Sequence, residues 1–177
     1  LIATAVRKRW VSPYLLSIAI AGLSQTANAA LEEVVVTARK TAESLQDTPI
    51  SVTALSGDRL EDMGMSRITK LQNVTPNLVF QNTPAYSGAG NNAAVYIRGI
   101  GQKDFVPTID PGVGIYVDEV YLGRSAGAVL DMIDIQQVEI LRGPQGTLFG
   151  KNTVGGAICI TTTKPNNEFG GKLDIKV

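Results

Sequence analysis

Few residues in this chain could do covalent chemistry. It has 177 residues and no His, which removes the usual general base, the Ser-His and Cys-His nucleophile pairs and most zinc sites. Its single Cys, Cys159, can form neither an internal disulfide nor a metal cluster. Asp118 and Glu119 are adjacent carboxylates. Neighbouring residues of a strand point to opposite faces, so the two do not share an acid–base site and read as a solvated turn. Two glycine-rich stretches imitate nucleotide loops. Gly88-Ala-Gly90-Asn-Asn-Ala93 has dinucleotide-like spacing, but it opens a strand where that motif must open a helix. Gly146-Thr-Leu-Phe-Gly150-Lys151-Asn152 is one residue short of a phosphate loop and carries Asn152 where magnesium needs a hydroxyl. The 16 basic and 16 acidic residues cancel, so no global basic field invites nucleic acid. The expectation is a non-enzyme with no catalytic residue, no resident cofactor and no metal site.

The remaining candidates depend on the elements that carry them. Arg7-Lys-Arg9, the apolar stretch Trp10–Leu23 and Ala27-Asn-Ala29 read as a secretory signal peptide over 1–29, cleaved after Ala29. The apolar stretch is shorter than the roughly 20 residues that span a membrane. Leu31-Glu-Glu-Val-Val-Val-Thr37 is a β-branched run. Residues 38–48 are polar and turn-free, and are read as a linker. Ile50–Leu55 predicts a strand. Ser56 predicts an N-cap for a helix through Met63 closed by Gly64, and Ser66 a cap for a second short helix that buries Ile68 and Leu71. Strands are predicted at 78–80, 94–98, 113–117, 120–122, 138–142 and 157–161, and a helical turn at 130–135. Most of the 18 glycines fall after residue 88. The fold class is therefore α+β: a small mixed sheet, two or three short helices and Gly-rich loops. Leu173, Ile175 and Val177 alternate as a further strand.

Five motifs occur in one order: Glu32-Glu-Val-Val-Val-Thr-Ala38, Pro49-Ile-Ser-Val52, Ile97-Arg98-Gly99, Val117-Asp-Glu-Val-Tyr121, and Val138-Glu-Ile-Leu-Arg-Gly-Pro-Gln-Gly146. Together they resemble the plug domain of TonB-dependent outer-membrane receptors, over about 31–165. Glu119 departs from the pattern, since many members carry Gly there, and a tight hairpin with positive φ disfavours Glu. The resemblance implies a C-terminal β-barrel of about 22 strands, which 177 residues cannot hold. The chain is thus read as the N-terminal piece of a receptor: signal peptide 1–29, TonB box and linker 30–48, plug 49–165, and the start of the first barrel strand at 166–177.

The resemblance assigns further roles. Glu33, Val34, Val35, Val36, Thr37 and Ala38 would be the TonB box, an unpaired strand that recruits TonB, part of the energised inner-membrane complex, by strand addition. Arg98-Gly99 and Arg142-Gly143-Pro144 would dock the plug against carboxylates on the inner wall of the receptor's own barrel. Tyr86, Lys103, Asp104 and Phe105, in Gly/Asn/Pro-containing loops, would face the ligand. The implied function is energy-coupled import across the outer membrane of a scarce nutrient, an iron–siderophore complex first, with cobalamin, haem or a glycan open. The rival expectation is a free-standing periplasmic binding domain.

Overall fold

The structure, a computed structural model, describes residues 34–37, 40–41, 43–83, 92–103, 108–124 and 127–167. These lie within one compact unit, Glu33–Val177. The signal-peptide and barrel-strand readings at 1–29 and 168–177 fall outside the described residues.

The main sheet has five strands: β3 (Val52–Ser56), β7 (Val113–Val117), β8 (Val120–Tyr121), β9 (Ile135–Arg142) and β10 (Gly156–Thr162), in the order β3-β9-β10-β7-β8. The β10–β7 pair is parallel and the others are antiparallel. A second sheet, β4 (Leu78–Thr83), β5 (Asn92–Ile97) and β6 (Ile100–Gln102), is an antiparallel meander. A two-stranded ribbon joins β1 (Val35–Val36) to β2 (Glu43–Ser44). Helix α1 (Gly57–Asp62) follows β3 directly, a 3-10 helix spans Ile68–Asn73, and the one-turn α2 (Gly146–Phe149) sits between β9 and β10.

The central strands have two dry faces. Successive side chains alternate across a strand. Val138 and Ile140 of β9, with Ile158 and Ile160 of β10, join the larger core with Leu60, Ile68, Leu71, Phe80 and Ile97. Leu141 and Ala157 point the other way, into a smaller core with Val36 and Tyr116, flanked by Val34, Leu45, Val52, Phe149 and Cys159. α1 and the small sheet thus belong with one face, and the chain's first described residues with the other.

Local chemistry explains the ends of the elements. The Ser56 side chain accepts from the Arg59 amide at 3.4 Å, and Gly64 takes the left-handed conformation past the helix end. Asp118 and Glu119 both have positive φ, 47° and 69°, the geometry of a tight turn between β7 and β8. Asp118 makes that turn tenable, because its carboxylate accepts from the Thr162 amide and hydroxyl, both at 2.8 Å. Those bonds, the amide first, hold its pKa below the ordinary carboxylate range.

Three expectations are corrected. Residues 130–135 form no helical turn. Residues 130–132 run beside 66–68, with Ile68 N donating to Leu130 O, Met132 N to Ser66 O, and a bridge between Arg67 and Asp131, and Asp134 then bends with a φ of 52°. For the same reason Ser66 caps nothing. Arg67 is the N-cap of the 3-10 helix and makes no side-chain cap bond, although Ile68 and Leu71 are fully buried as expected. The 38–48 stretch is not a turn-free linker either. It contains β2 and a turn at 45–47, with Asp47 N and Thr48 Oγ1 both donating to Ser44 O. Leu45, its one large apolar residue, anchors it in the smaller core.

Gly156 is where the crossing of β9 and β10 is tightest. Its φ is +149°, and a Cβ there would collide with the Leu141 carbonyl oxygen and meet Ile97 Cδ1 at 3.0 Å. Backbone cannot yield as a side-chain end can. Gly156→Ala is expected to cost on the order of 2 kcal/mol of local stability. Hydrogen exchange across 138–142 and 156–160 should accelerate by about tenfold or more, and unchanged exchange would refute the close approach.

Candidate functional site

The smaller core carries a polar centre that the alternation of β9 creates. Gln137, Glu139 and Leu141 share one face of that strand. Glu139 is 3% exposed, an expensive place for a carboxylate. The N-terminal segment covers it. Glu139 Oε1 accepts from the Thr37 amide at 2.7 Å, the Thr37 hydroxyl at 3.1 Å and Gln137 Nε2 at 2.9 Å. Oε2 has no hydrogen-bond partner among the described residues. Burial pushes the Glu139 pKa up, and the Thr37 bonds oppose that rise without cancelling it.

The segment lies flat across this face. Leu45 N donates to Val34 O at 2.9 Å, and β1 pairs with β2 in the register Val35↔Ser44 and Val36↔Glu43. In an antiparallel pair this puts the polar backbone groups of Val34 and Val36 towards β2, and those of Val35 and Thr37 away from it. Val36 is buried beneath the ribbon and Val35 is 47% exposed. Gln137 Nε2 donates to the outward-facing Val35 carbonyl at 2.9 Å. The Lys40 ammonium stands 5.5 Å from the centre of the Phe149 ring, and that ring packs edge-on against Tyr116. The expectation of an unpaired strand on a polar tether is therefore corrected. In this state residues 34–37 are paired and docked, because Val36 has an apolar seat and Thr37 a buried acceptor. Glu33 and Ala38 lie outside the described residues.

Cys159 faces Glu139 directly in the β9–β10 register. Its thiol pKa is pushed up to about 12, first by burial and then by the Glu139 charge, with Lys40 pulling the other way. The thiol is therefore held protonated and unreactive at neutral pH.

The two arginine motifs meet at a different corner. Arg98, with φ of 53°, and Gly99, with φ of 80°, form the β5–β6 turn. Arg142 ends β9, and Gly143 follows with φ of 113°. A Cβ on Gly143 would lie 3.3 Å from Arg98 Nη1, so that glycine leaves room for the Arg98 guanidinium. Arg98 is exposed and Arg142 half-buried. Arg142 Nε is buried with no hydrogen-bond partner among the described residues. Pro144 is exposed, while Gln145 is buried and starts α2. Of the loop candidates, Lys103 is exposed, and its carbonyl accepts from Asn92 Nδ2 at 3.1 Å. Tyr86, Asp104 and Phe105 lie outside the described residues. In the stretch that imitates a phosphate loop, Lys151 pairs at the surface with Asp110 at 3.6 Å, and Asn152 donates to the Tyr121 hydroxyl at 2.8 Å.

Gln137 and Glu139 were absent from the sequence-based candidates. A signal for them exists. Gln137 and Glu139 alternate on a strand whose partner, Ala157-Ile-Cys-Ile160, is apolar on both faces, a sign that their face is covered and is not an ordinary solvated one.

Comparison with known proteins agrees with this fold. The family model described as the TonB-dependent receptor plug domain matches residues 44–157, and the chain belongs to that family. The pesticin receptor of Yersinia enterocolitica is 35% identical over 159 residues, covering 89% of this chain and 22% of that protein. The ferripyoverdine receptor of Pseudomonas aeruginosa is 30% identical over 146 residues, covering 80% of this chain and 16% of that protein. The crystal structure of the ferric yersiniabactin uptake receptor from Yersinia pestis superposes with a TM-score of 0.57 at 36% identity, over 67% of this chain and 18% of that one. The chain spans about a fifth of the length of these relatives.

Proposed function

We propose that this chain is the plug of an outer-membrane receptor that imports an iron–siderophore complex at the expense of inner-membrane energy. The observation that carries the reading is the plug match over 44–157, on a fold with no cluster of metal-ligating residues among the described positions. Relatives named for pesticin and ferripyoverdine, and a neighbour for ferric yersiniabactin, support the siderophore class. The role is that of a gate and not of an enzyme. Residues 1–29 are read as its signal peptide and residues 166–177 as the start of its own barrel.

Residues 33–38 are read as the segment that recruits TonB. Support comes from Val35 and Thr37, whose backbone groups face away from β2 and are met by side chains instead of a strand. Val35→Pro removes an outward amide donor while the β1–β2 bonds, made by Val34 and Val36, remain possible. Uptake of the ferric siderophore should be abolished while its binding at the cell surface persists. Normal uptake would refute strand addition here, and loss of surface binding would point to a disrupted plug.

Arg98 and Arg142 are read as the seat of the plug against carboxylates of the barrel wall. The proximity of the two Arg-Gly corners and Arg142 Nε, which has no partner among the described residues, support this. Removing one partner of a buried ion pair costs about 3–5 kcal/mol, against at most about 1 kcal/mol for an exposed arginine. Arg98→Ala and Arg142→Ala should each loosen the seated plug in the complete receptor, with faster hydrogen exchange over 94–99 and 138–144. The double variant should be far from additive. Equal effects in the isolated chain would assign the arginines to the plug's own stability instead.

A further inference from the structure

Gln137 and Glu139 reproduce, with two side chains, the hydrogen-bonding edge of a missing strand. As alternate residues of β9 they project from the same face, and Val35 and Thr37 alternate along β1 in the same way. The outward edge of β1 offers the Val35 carbonyl and the Thr37 amide. Gln137 gives the carbonyl a donor at 2.9 Å, and Glu139 gives the amide an acceptor at 2.7 Å. The 2.9 Å bond from Gln137 Nε2 to Glu139 Oε1 makes the pair one unit, and the Thr37 hydroxyl adds a third donor to that oxygen. A strand arriving at this edge would bond to the same carbonyl and the same amide. The Thr37 amide has one hydrogen to give, and the Gln137 side chain occupies the position beside the Val35 carbonyl that a ladder partner would take, so the side chains and an added strand exclude each other.

We propose that Gln137 and Glu139 clamp residues 34–37 to the plug by occupying this edge, and that an added TonB strand must displace them. This rests on the reading of 33–38 as the recruiting segment. The geometry explains why the segment is held by a carboxylate on the plug and not by apolar packing alone. Val36 is its one fully buried side chain, and a single valine is a weak anchor. Hydrogen bonds to a charged acceptor are stronger and directional, and an incoming strand that offers its own acceptors can replace them. The clamp sits on β9, the strand that ends at Arg142, so the clamp and that arginine share one element.

The lone thiol reports on the clamp. Cys159 packs in the same cluster as Val34, Val36 and Leu45 and is paired with Glu139 in register. Alkylation of Cys159 by N-ethylmaleimide, resolved by peptide mass spectrometry in the complete receptor without partner or ligand, measures undocking with no reference to TonB. Thr37→Pro removes the donated amide, keeps the Glu139 charge beside the thiol and leaves the sheet untouched. Gln137→Ala removes the other half of the clamp. Both should raise the alkylation rate by about tenfold or more. Unchanged alkylation in both overturns the clamp, whatever TonB does. The second arm measures binding of the purified periplasmic domain of TonB, with photocrosslinks placed along 34–37. Glu139→Ala and Gln137→Ala should bind it about tenfold tighter than the unaltered receptor, through 34–37. Faster alkylation with unaltered affinity at 34–37 overturns the competition. Crosslinks that avoid 34–37 in every form overturn the recruitment reading, and the competition with it.

Discussion

A carboxylate in the middle of a two-faced sheet is the constraint on which the second face of this plug depends. β9 lies between β3 and β10 in the sheet, and packing covers both of its faces. One face meets the larger core through Val138 and Ile140. The other carries Glu139, and whatever buries that carboxylate must supply donors or strand it at a cost of several kcal/mol. The chain's own N-terminal residues supply the cover, with two donors from Thr37 joining Gln137 Nε2 on one oxygen. The other oxygen is left without a partner among the described residues. The arrangement therefore holds the segment firmly enough to order it, yet leaves the carboxylate incompletely satisfied. It also silences the neighbouring thiol, which stays protonated beside a negative charge in a buried setting.

The glycines at the sheet's crossing serve the same framework. Gly156 lets β10 pass beneath Leu141 with no room for a side chain, and Gly143 leaves space for the Arg98 guanidinium. The strand that carries Gln137 and Glu139 therefore also ends beside Gly143, where the Arg98 guanidinium lies. A displacement of β9 relative to its surroundings would be felt at both places. This is a physical basis for relating the seating of the plug to the availability of its N-terminal segment.

Much of the framework was legible in the residues. Short apolar and β-branched runs located β3, β4, β5, β7, β9 and β10, and Ser56 with Gly64 bracketed α1, because these are local signals with local causes. Asp118-Glu119 read correctly as a turn. That a non-glycine pair tolerates positive φ there depends on Thr162, 44 residues away along the chain. The failures share a cause. Residues 38–48 and 130–135 have little pattern of their own and take their structure from partners distant in sequence, Val34 and Ser66 among them. Glu139 escaped notice for a related reason. Within Val138-Glu-Ile-Leu-Arg it resembles the water-facing position of an ordinary amphipathic strand. Only the docking of residues 34–37 over that face shows that it is not open to water. The arginine corner was legible as two motifs, but their meeting through Gly143 was not.

The docked state of residues 34–37 is the claim from which the rest follows, and the Thr37 amide tests it most directly. In the complete receptor, without ligand or TonB, residue-resolved hydrogen exchange should find that amide slowed by about a hundredfold or more relative to an unstructured chain. It should exchange alongside the Val36 amide and faster than the amides of Ile140 and Ile158 at the sheet's centre. Exchange of the Thr37 amide at the rate of a free peptide, with the β9 and β10 amides still protected, would contradict the account: the segment would then be undocked at rest, and Glu139 would hold nothing.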